Sequence, residues 1–527
     1  MTPSLVRALF LCGLTLITWM TTSCTTITGP TSSSQFRLFV APQTVRSDEV
    51  TLLWDKVDST ATESGVAVTY QVLLDDKPLA ATPKTHFTVK ELLPARDHVF
   101  VVKAQTSSGQ VAQRSNVVRV KTRPRETMLS VEAFGAKGDG TTLNTKAIQA
   151  AIDACPPNGV VLIPEGVFLS GALYLKSDMT LKIARDGVLK GSADPQDYLP
   201  FNRNRFEGWE METHASLLNA GKLDRNGPAN VRNLSIRGEG RISGGGRKLS
   251  DTIRRAFPGI KGVRARGRLI LLMNAENVEV AGLTLEETPC WTLHYIYSEN
   301  VSLHGLTIRS DVFNGDGIDP DSSRNSYIFN CTFDTGDDCI AVKSGKNPEG
   351  NVVNRPTENV WIVDCNFIRG HGISIGSEMS GGIRNVLVQD CVAGALLNGM
   401  QIKATKDRGG VVENVTVRDC NLQKITVLTA LAYNNDGEPA PEPPYFRNFR
   451  FVNLDLSTAK PDSAVVIVNG FTAAGHRTKD IRFENVKLPR GAIVKVEDSE
   501  DVTFEKVTTP GGAKPQYEVS RSERVTY

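Results

Sequence analysis

The chain has 527 residues, more than one ordinary hydrophobic core organises, so two domains are expected unless a repetitive architecture extends one of them. Its 60 basic and 58 acidic residues leave a net charge of +2, so no overall field attracts nucleic acid or an anionic membrane. No nucleic-acid partner is expected, and binding of an acidic polymer would need a local patch.

Residues 1–24 have the pattern of an export signal. Arg7 precedes an apolar run over residues 8–20, which is too short to span a bilayer. Ser23 before Cys24 resembles a bacterial lipoprotein cleavage site, although Thr21 stands where such sites usually carry Leu. We expect an exported protein, anchored to the outer membrane through acylated Cys24 or periplasmic, with plain secretion as the alternative. Residues 25–34 would form a flexible tether.

Residues 35–123 alternate short apolar strands with turn residues, for example over 50–54, 67–74, 98–104 and 117–120. About seven such strands indicate a two-sheet sandwich. Leu92-Leu93-Pro94, followed by HVFVVKA with Trp54 upstream, resembles a fibronectin type III domain. His98 occupies the usual place of the corner tyrosine in that family. No catalytic constellation is visible, which favours a spacer or docking module.

A short amphipathic helix is predicted over residues 144–154, and no helix is predicted after it. Its apolar residues Ala147, Ile148, Ala151 and Ile152 have helical spacing.

The rest of residues 128–527 repeats one short pattern, in which Asn is followed by alternating apolar residues and, six positions on, a small or sulfur-containing residue. Its copies start at Asn277, Asn300, Asn325, Asn359, Asn385, Asn414 and, more weakly, Asn448 and Asp480. The copies start 23–34 residues apart, and intervals of this size suit a coil of three short strands. The sequence therefore predicts an all-β fold: a right-handed parallel β-helix preceded by the small sandwich.

Nine cysteines in an exported protein would ordinarily suggest disulfides. Stacked coils, however, place equivalent residues about 4.8 Å apart in a column. Cys331, Cys365, Cys391 and Cys420 share one position of the repeat, where other copies have Leu or Val. They are predicted to be small buried hydrophobes, with pairing across adjacent coils as the alternative.

A second predicted column consists of Ile318, Ile340, Ile373 and Ile402. If these isoleucines point inward, their neighbours point outward, because side chains alternate along a strand. Asp316, Asp338 and His371 would then line up at the head of that strand on consecutive coils. Gln401 and Lys403 would share one outer surface.

These residues suit cleavage of an acidic sugar polymer. Glycosidic hydrolysis needs a protonated acid at the leaving oxygen and a carboxylate to activate water, and an acidic substrate also needs cations. Asp316, Asp337 and Asp338 provide carboxylates, and crowding of like charges raises at least one pKa. His371 and Lys403 follow in the next coils.

The chain resembles glycoside hydrolase family 28, the polygalacturonases. The resemblance is carried by Asn314-Gly315-Asp316, GDDCIAVKSG at 336–345, HGISIGSE at 371–378, Gln401-Ile402-Lys403, and FGAKGDG at 134–140. It extends over nearly the whole chain after residue 128.

The resemblance implies inverting hydrolysis of α-1,4-galacturonosyl linkages in pectin, without metal or cofactor, by a monomer. Asp337 would be the general acid, Asp316 and Asp338 would activate water, and His371 would orient the acid. Lys403 would bind a substrate carboxylate, with Asn314 and Gln401 as further substrate contacts. Inversion would require a gap of about 6.5–9.5 Å between acid and base.

Two departures from the family pattern stand out. Gly315 replaces the usual Thr, a loss of only a methyl and a hydroxyl. Gln401 replaces the usual Arg, which removes a bidentate carboxylate partner, and Arg408 is a candidate replacement. A different pectic linkage, such as rhamnogalacturonan or substituted galacturonan, is therefore an alternative substrate.

The segments 319–323 and 377–382, together with the sandwich, resemble bacterial exo-acting members, so release of residues from chain ends is favoured. A β-helix lyase and a non-catalytic binding protein on the same scaffold are the alternatives from other classes.

Overall fold

The computed structural model describes residues 36–57, 68–106, 109, 111–429 and 437–527. The predicted signal, Cys24 and the tether lie outside the described residues. Within the described parts of the chain, no helix is both long and apolar enough to cross a membrane. Residues Gln35–Tyr527 form one unit.

The N-terminal strands form two small antiparallel sheets, as predicted for a sandwich. The first contains Leu38–Val40, Val50–Trp54 and His86–Val89, and the second contains Lys77–Thr82, Thr69–Leu74, Asp97–Gln105, Val111–Arg114 and Val118–Lys121. Their alternating strands bury one face each, and Trp54 packs edge-on against Tyr70 with ring centroids 5.6 Å apart.

From Met128 onward, all described strands except the hairpin Asn202–Phe206 and Trp209–Thr213 pair in parallel and build three long sheets. The predicted right-handed parallel β-helix is thus confirmed. The first sheet contains Asp139–Leu143, Gly166–Ser170, Gly187–Gly191, Arg241–Ser243, Thr284–Glu286, Thr307–Arg309, Thr332–Asp334, Asn366–Gly370 and Val392–Leu396. The second contains Met128–Ser130, Gly159–Ile163, Met179–Ile183, Val231–Gly238, Ala275–Ala281, Glu299–His304, Arg324–Phe329, Thr357–Val363, Ile383–Gln389, Val411–Arg418, Tyr445–Asp455, Thr478–Lys487, Ser499–Thr508 and Glu523–Thr526. The third contains Leu173–Leu175, Leu218–Ala220, Ile270–Met273, Leu293–Ile296, Ile318–Asp321, Ile340–Val342, Ile373–Ile375, Met400–Ala404, Ile425–Thr429, Ala464–Asn469, Ile493–Glu497 and Gln516–Ser520.

Within the described residues, helices occur in connections between strands and not in the sheets themselves. The α-helices are Thr145–Ala154, Gly246–Ala256, Ile260–Arg264 and Glu349–Val353, and the 3₁₀ helices are Val131–Phe134, Pro195–Tyr198 and Pro510–Gly512. The first α-helix confirms the prediction, with Ile148, Ala151 and Ile152 buried. The expectation of no later helix was wrong. The helix Gly246–Ala256 buries Leu249 and Ile253, which lie four residues apart on one of its faces. The long connection between two coils leaves room for such a helix.

The repeated asparagines form a hydrogen-bonded ladder along the second sheet. The Nδ2 group of each donates to the Oδ1 of its equivalent one coil earlier, from Asn277 onto Asn233 through to Asn448 onto Asn414, at 2.7–3.3 Å. Each of these asparagines has a positive φ near 55°. Asn tolerates this left-handed conformation better than other residues with a Cβ, so one residue type meets both requirements of the turn.

The predicted cysteine column is confirmed. Cys331, Cys365, Cys391 and Cys420 are buried and unbridged, as are the other three cysteines in the described parts of the chain. The sulfur atoms lie in the core as small apolar groups.

The isoleucine column is correct for three of its four members. Ile318 lies opposite Ile340, and Ile340 lies opposite Ile373. Ile373 then pairs with Met400, whereas Ile402 pairs with Ile375, so the predicted position of Ile402 was wrong by two residues. A shift of two keeps the alternation of faces, and for this reason Gln401 and Lys403 still point outward.

The sandwich packs on the outer face of the second sheet. Ala41 and Leu53 of the sandwich share an apolar cluster with Tyr327, Phe329 and Val363 of the β-helix. Arg46 is fully buried in this contact and forms an ion pair with Glu279, and Lys56 bonds Asp390 at 2.5 Å. Buried apolar and charged contacts together fix the sandwich to the wall.

Candidate active site

Consecutive strands of the third sheet bring the predicted site residues together. Because Ile318, Ile340 and Ile373 are in register, the residues two positions before them, Asp316, Asp338 and His371, lie on adjacent coils. Gly317 allows this stacking, since a Cβ there would lie 2.4 Å from the carbonyl oxygen of Cys339. The predicted alignment at the head of the strand is confirmed.

Asp337 and His371 form a hydrogen-bonded pair that shares a proton. Nδ1 of His371 lies 3.1 Å from Oδ1 of Asp337 and 3.9 Å from Oδ1 of Asp338. The hydrogen bond with Asp337 raises the pKa of His371. Burial opposes ionisation of Asp337, but the His371 hydrogen bond and charge outweigh it and lower the pKa of that carboxyl. Both shifts favour the ion pair, in which the proton is on the imidazole.

Asp316 is the carboxyl with the strongly raised pKa. It is 3 % exposed, and burial is the largest cause of the rise, followed by the charges of Asp319 and Asp337. Burial likewise raises the pKa of Asp319 to about 7. The crowded carboxylates thus hold a proton near neutral pH that Asp316 and Asp319 share, and this proton is not on Asp337.

Asp319, Lys343 and Glu378 belong to the site, although they were predicted only as parts of motifs and not as site residues. Lys343 Nζ lies 3.7 Å from Asp316, 3.6 Å from Asp319 and 3.5 Å from Glu378. It also lies 4.6 Å from the centroid of the Trp291 ring, over its face. Strand alternation was a usable signal for Asp319 and Lys343, since each is adjacent to an inward-pointing residue.

Lys403 lies beside the aspartates, as predicted, but its observed partner is protein. Its Nζ is 3.2 Å from Oδ2 of Asp338, and Ser374 Oγ donates to Oδ1 of the same carboxylate at 2.8 Å. Both contacts suit an anion. Gln401 lies opposite Ser374 in the neighbouring strand and is 8 % exposed.

Asn314 and Arg408 are held in the surrounding structure. Arg266 donates to Oδ1 of Asn314 at 2.7 Å, which ties this residue to the loop. Arg408 is 1 % exposed and donates to Asn347 Oδ1 and the Ser377 carbonyl oxygen. The structure therefore does not present Arg408 as a replacement for the missing guanidinium. It braces the turn that carries Glu378.

An antiparallel hairpin, Asn202–Phe206 with Trp209–Thr213, lies against one edge of this site. Its Arg205 bonds Asp321 at 2.7 Å and Ser322 at 2.8 Å. Phe206 stacks on Trp291, the ring that Lys343 contacts, at 5.0 Å between centroids. At the tip, Trp209 Nε1 donates to the Asn347 carbonyl oxygen, and Lys346 lies over the indole ring. Asp321 and Ser322, within the segment typical of exo-acting members, thus anchor this hairpin.

On the other side of His371 lies an open pocket of about 490 Å³. Arg369, Leu397, Gln423 and Thr335 are among the residues that line it. It offers room for a sugar ring beside the Asp337–His371 pair.

The distance between the proposed acid, Asp337, and the adjacent Asp338 is shorter than predicted. One ligand atom from each of Asp337, Asp338 and His371 lies within 4.8 Å of the others, so Asp337 and Asp338 are closer than the roughly 6.5–9.5 Å expected for inversion. The backbone N–H of Asp338 donates to Oδ1 of Asp337, and this turn keeps the two carboxyls close. In the described residues, this trio is also the one grouping of His, Cys, Asp and Glu side chains that a single cation would fit.

Crowded carboxylates with cationic partners on the outer face of a parallel β-helix define a glycoside hydrolase. Comparison with known proteins agrees. The model of Glycosyl hydrolases family 28 matches residues 161–510, and the chain belongs to this family. A second model, described as Rhamnogalacturonase A/epimerase, pectate lyase-like, matches residues 128–193.

Similar proteins cover most of the chain. The exo-poly-alpha-D-galacturonosidase of Dickeya chrysanthemi is 30% identical over 457 residues, which cover 78% of this chain and 75% of that protein. The solved structure of the Yersinia enterocolitica family 28 exopolygalacturonase has a TM-score of 0.85 and 27% identity, covering 93% of this chain and 98% of that one. The exopolygalacturonase structure from Thermotoga maritima has a TM-score of 0.59 and 28% identity, covering 75% and 93%.

Proposed function

We propose that the protein hydrolyses α-1,4-galacturonosyl linkages of pectic polysaccharides or oligosaccharides, acting from chain ends with inversion at the anomeric carbon. The observation that carries the proposal is the stacking of Asp316, Asp337 and Asp338 beside His371 and two lysines. The similarity to exo-acting polygalacturonases supports the substrate and the mode. Inversion is proposed from membership of the family, because the short distance between Asp337 and Asp338 does not by itself favour it.

In the proposed reaction, Asp337 gives a proton to the departing glycosidic oxygen as the bond from C1 to that oxygen breaks. Asp316 and Asp338 take a proton from the water whose oxygen attacks C1 from the opposite face. The net change consumes one water. The base releases the proton that it gained to solvent, and a proton from solvent reaches Asp337 through His371, because a hydrogen bond joins these two groups.

The cations of the site would bind the negatively charged carboxylates of the substrate. A galacturonate carboxylate would be drawn to Lys403, which already holds Asp338 at 3.2 Å. Gln401 offers an uncharged amide where an arginine is usual, so we infer that this subsite relies more on hydrogen bonds than on charge.

Exo action is inferred from the hairpin. It is bonded to Asp321 and Ser322 and stacked on Trp291, so it occupies one edge of the site next to the reacting carboxylates. A chain passing through the cleft would meet this hairpin, whereas a chain end would stop at it.

The test is Asp337→Asn. Removal of general acid catalysis is worth about 10²–10⁴ in rate, so release of reducing ends from polygalacturonate should fall at least about 100-fold in kcat. Asp334→Asn is the matched control, since Asp334 lies three residues earlier and pairs with the exposed Arg369. Retained activity in Asp337→Asn would remove this assignment. The anomeric configuration of fresh product, followed by proton NMR, should be inverted.

A second candidate substrate is another pectic linkage, such as rhamnogalacturonan or a substituted galacturonan. Gln401 favours it, because the position lacks the guanidinium that plain galacturonate would pair with. Parallel assays on both polymers separate the two. An unsaturated product absorbing in the ultraviolet, or loss of activity with a chelator, would instead indicate a lyase.

A further inference from the structure

Lys343 is a buried cation in contact with the reacting carboxylates. It directly follows the strand Ile340–Val342, and its side chain is only 5 % exposed. Burial alone would lower the pKa of this ammonium, but Glu378, Asp316 and Asp319 outweigh it and raise the pKa. The lysine therefore stays charged in a place where an isolated lysine would lose its proton.

Its three carboxylates come from two coils and compete for one cation. Asp316 and Asp319 belong to the coil of Ile318–Asp321, and Glu378 lies in the turn after Ile373–Ile375. With all three ionised, the cluster would carry an excess of two negative charges in a buried site. Excess negative charge away from water favours the binding of a proton.

Asp316 and Asp319 are the carboxyls that share this proton. Both are buried, and burial together with neighbouring charge raises the pKa of each. Neither oxygen of Asp319 has a hydrogen-bond partner within the described residues. With one proton between them, the pair keeps one negative charge and can take a second proton from water. The two carboxyls titrate as a coupled pair.

Other charged groups near this pair raise or lower its affinity for protons. They are Arg268, which lies against the Phe206 and Trp291 rings, the carboxylates Asp337 and Asp338, the side chains of His371 and Lys403 beyond them, and His294. Burial lowers the pKa of His294 to about 4, so that imidazole is neutral over most of the working range. Lys343 is the cation in direct contact with both Asp316 and Asp319.

We propose that Lys343 is a positioning residue that keeps the Asp316–Asp319 pair singly ionised, and that Glu378 limits how strongly it does so. Lys343 thus acts through its charge and not only by filling space in the core. The inference rests on the proposed function, because it assigns Asp316 the task of activating water.

The test is the pH profile of kcat/KM for the full-length enzyme on galacturonate oligomers, from about pH 3 to about pH 8. An opposite charge within about 4–6 Å is worth about 1–3 pH units. In Lys343→Met, the second proton binds Asp316 more readily, so the acidic limb should move up by about one pH unit or more. Lys343→Arg should keep the limb near that of the unmodified enzyme.

Glu378→Gln supplies the opposing arm. Removal of this anion leaves more of the Lys343 charge for Asp316, so the acidic limb should move to lower pH. Thermal melting curves confirm that each variant is folded, and the arginine and glutamine variants decide the matter if Lys343→Met does not fold. An equal loss of rate at every pH in Lys343→Met, or limbs that move in the same direction in both variants, would overturn the inference.

If the unmodified enzyme leaves galacturonan uncut, the proposed function fails, and the charge coupling is measured directly. Carboxyl-¹³C aspartate labelling then follows the Asp316–Asp319 titration with and without Lys343. An unmoved titration in Lys343→Met would refute the coupling itself.

Discussion

At the scale of single residues, the protonation of the site differs from what residue identity suggests. Asp337, the proposed acid, has a lowered pKa because His371 donates to it. His371, by the same bond, has a raised pKa. The acid is better described as the pair, which carries one proton and titrates as a unit. Binding of a sugar would exclude water and favour the neutral arrangement, with the proton on Asp337.

This description gives a prediction for His371→Gln. The pair holds its proton at pH values below the raised pKa of His371 and loses it as the pH rises through that value. The ordinary pKa of histidine is about 6.5, so the unmodified enzyme should remain active above that pH. Without the imidazole, Asp337 must hold the proton alone, and the alkaline limb of kcat should move to lower pH. His86→Gln, at the contact with Asp364, is the control. An unmoved alkaline limb in His371→Gln would contradict the pair.

At the scale of elements, the asparagine ladder stabilises the stack of coils. Asn359 donates to Asn325 at 3.0 Å and accepts from Asn385 at 3.1 Å, and its φ is 58°. Asn359→Ala loses two hydrogen bonds and places alanine, which tolerates the left-handed region less well than asparagine, at a positive φ. The free energy of unfolding should fall by about 2 kcal/mol.

Chemical denaturation of the two asparagine variants checks this expectation. Asn366→Ala is the control, because Asn366 is exposed on the first sheet and does not have a positive φ. Equal stability of the two variants would mean that the ladder contributes little.

The hairpin is the element expected to set the mode of attack. Trp209→Ala removes the indole that donates to Asn347 and packs against Lys346. A loosened tip should admit longer chains, so the variant should form products of intermediate length that the unmodified enzyme does not. Trp361→Ala, at the contact between sandwich and β-helix, is the control for general loss of stability. An unchanged product pattern in Trp209→Ala would refute the blocking role.

At the scale of the whole molecule, the coil repeat makes residues that are distant in sequence neighbours in space. Asp316 and Lys403 are far apart along the chain, yet both approach Asp338 on stacked strands. This could be predicted because the apolar columns fix the register, and the register places their outward neighbours. The same rule, applied to Ile340 and Val342, would have found Lys343.

Other parts could not be predicted in this way. Glu378 and Arg408 lie in irregular turns, where no periodicity constrains the side chain. The hairpin at 202–213 and the helix Gly246–Ala256 lie in long connections, whose structure depends on packing against the finished β-helix. Ile402 was misplaced because two apolar residues, Met400 and Ile402, equally fit the inward position. The buried contact of Arg46 with Glu279 required the docked sandwich.

If the stacked aspartates hydrolyse galacturonan from chain ends, the products show it directly. The decisive experiment is a time course of products from galacturonate oligomers of defined length, resolved by mass spectrometry. We expect one short, saturated product from the first time point, with the parent oligomers shortening stepwise. A ladder of intermediate lengths at early times, or products two hydrogens short of saturation, would contradict it.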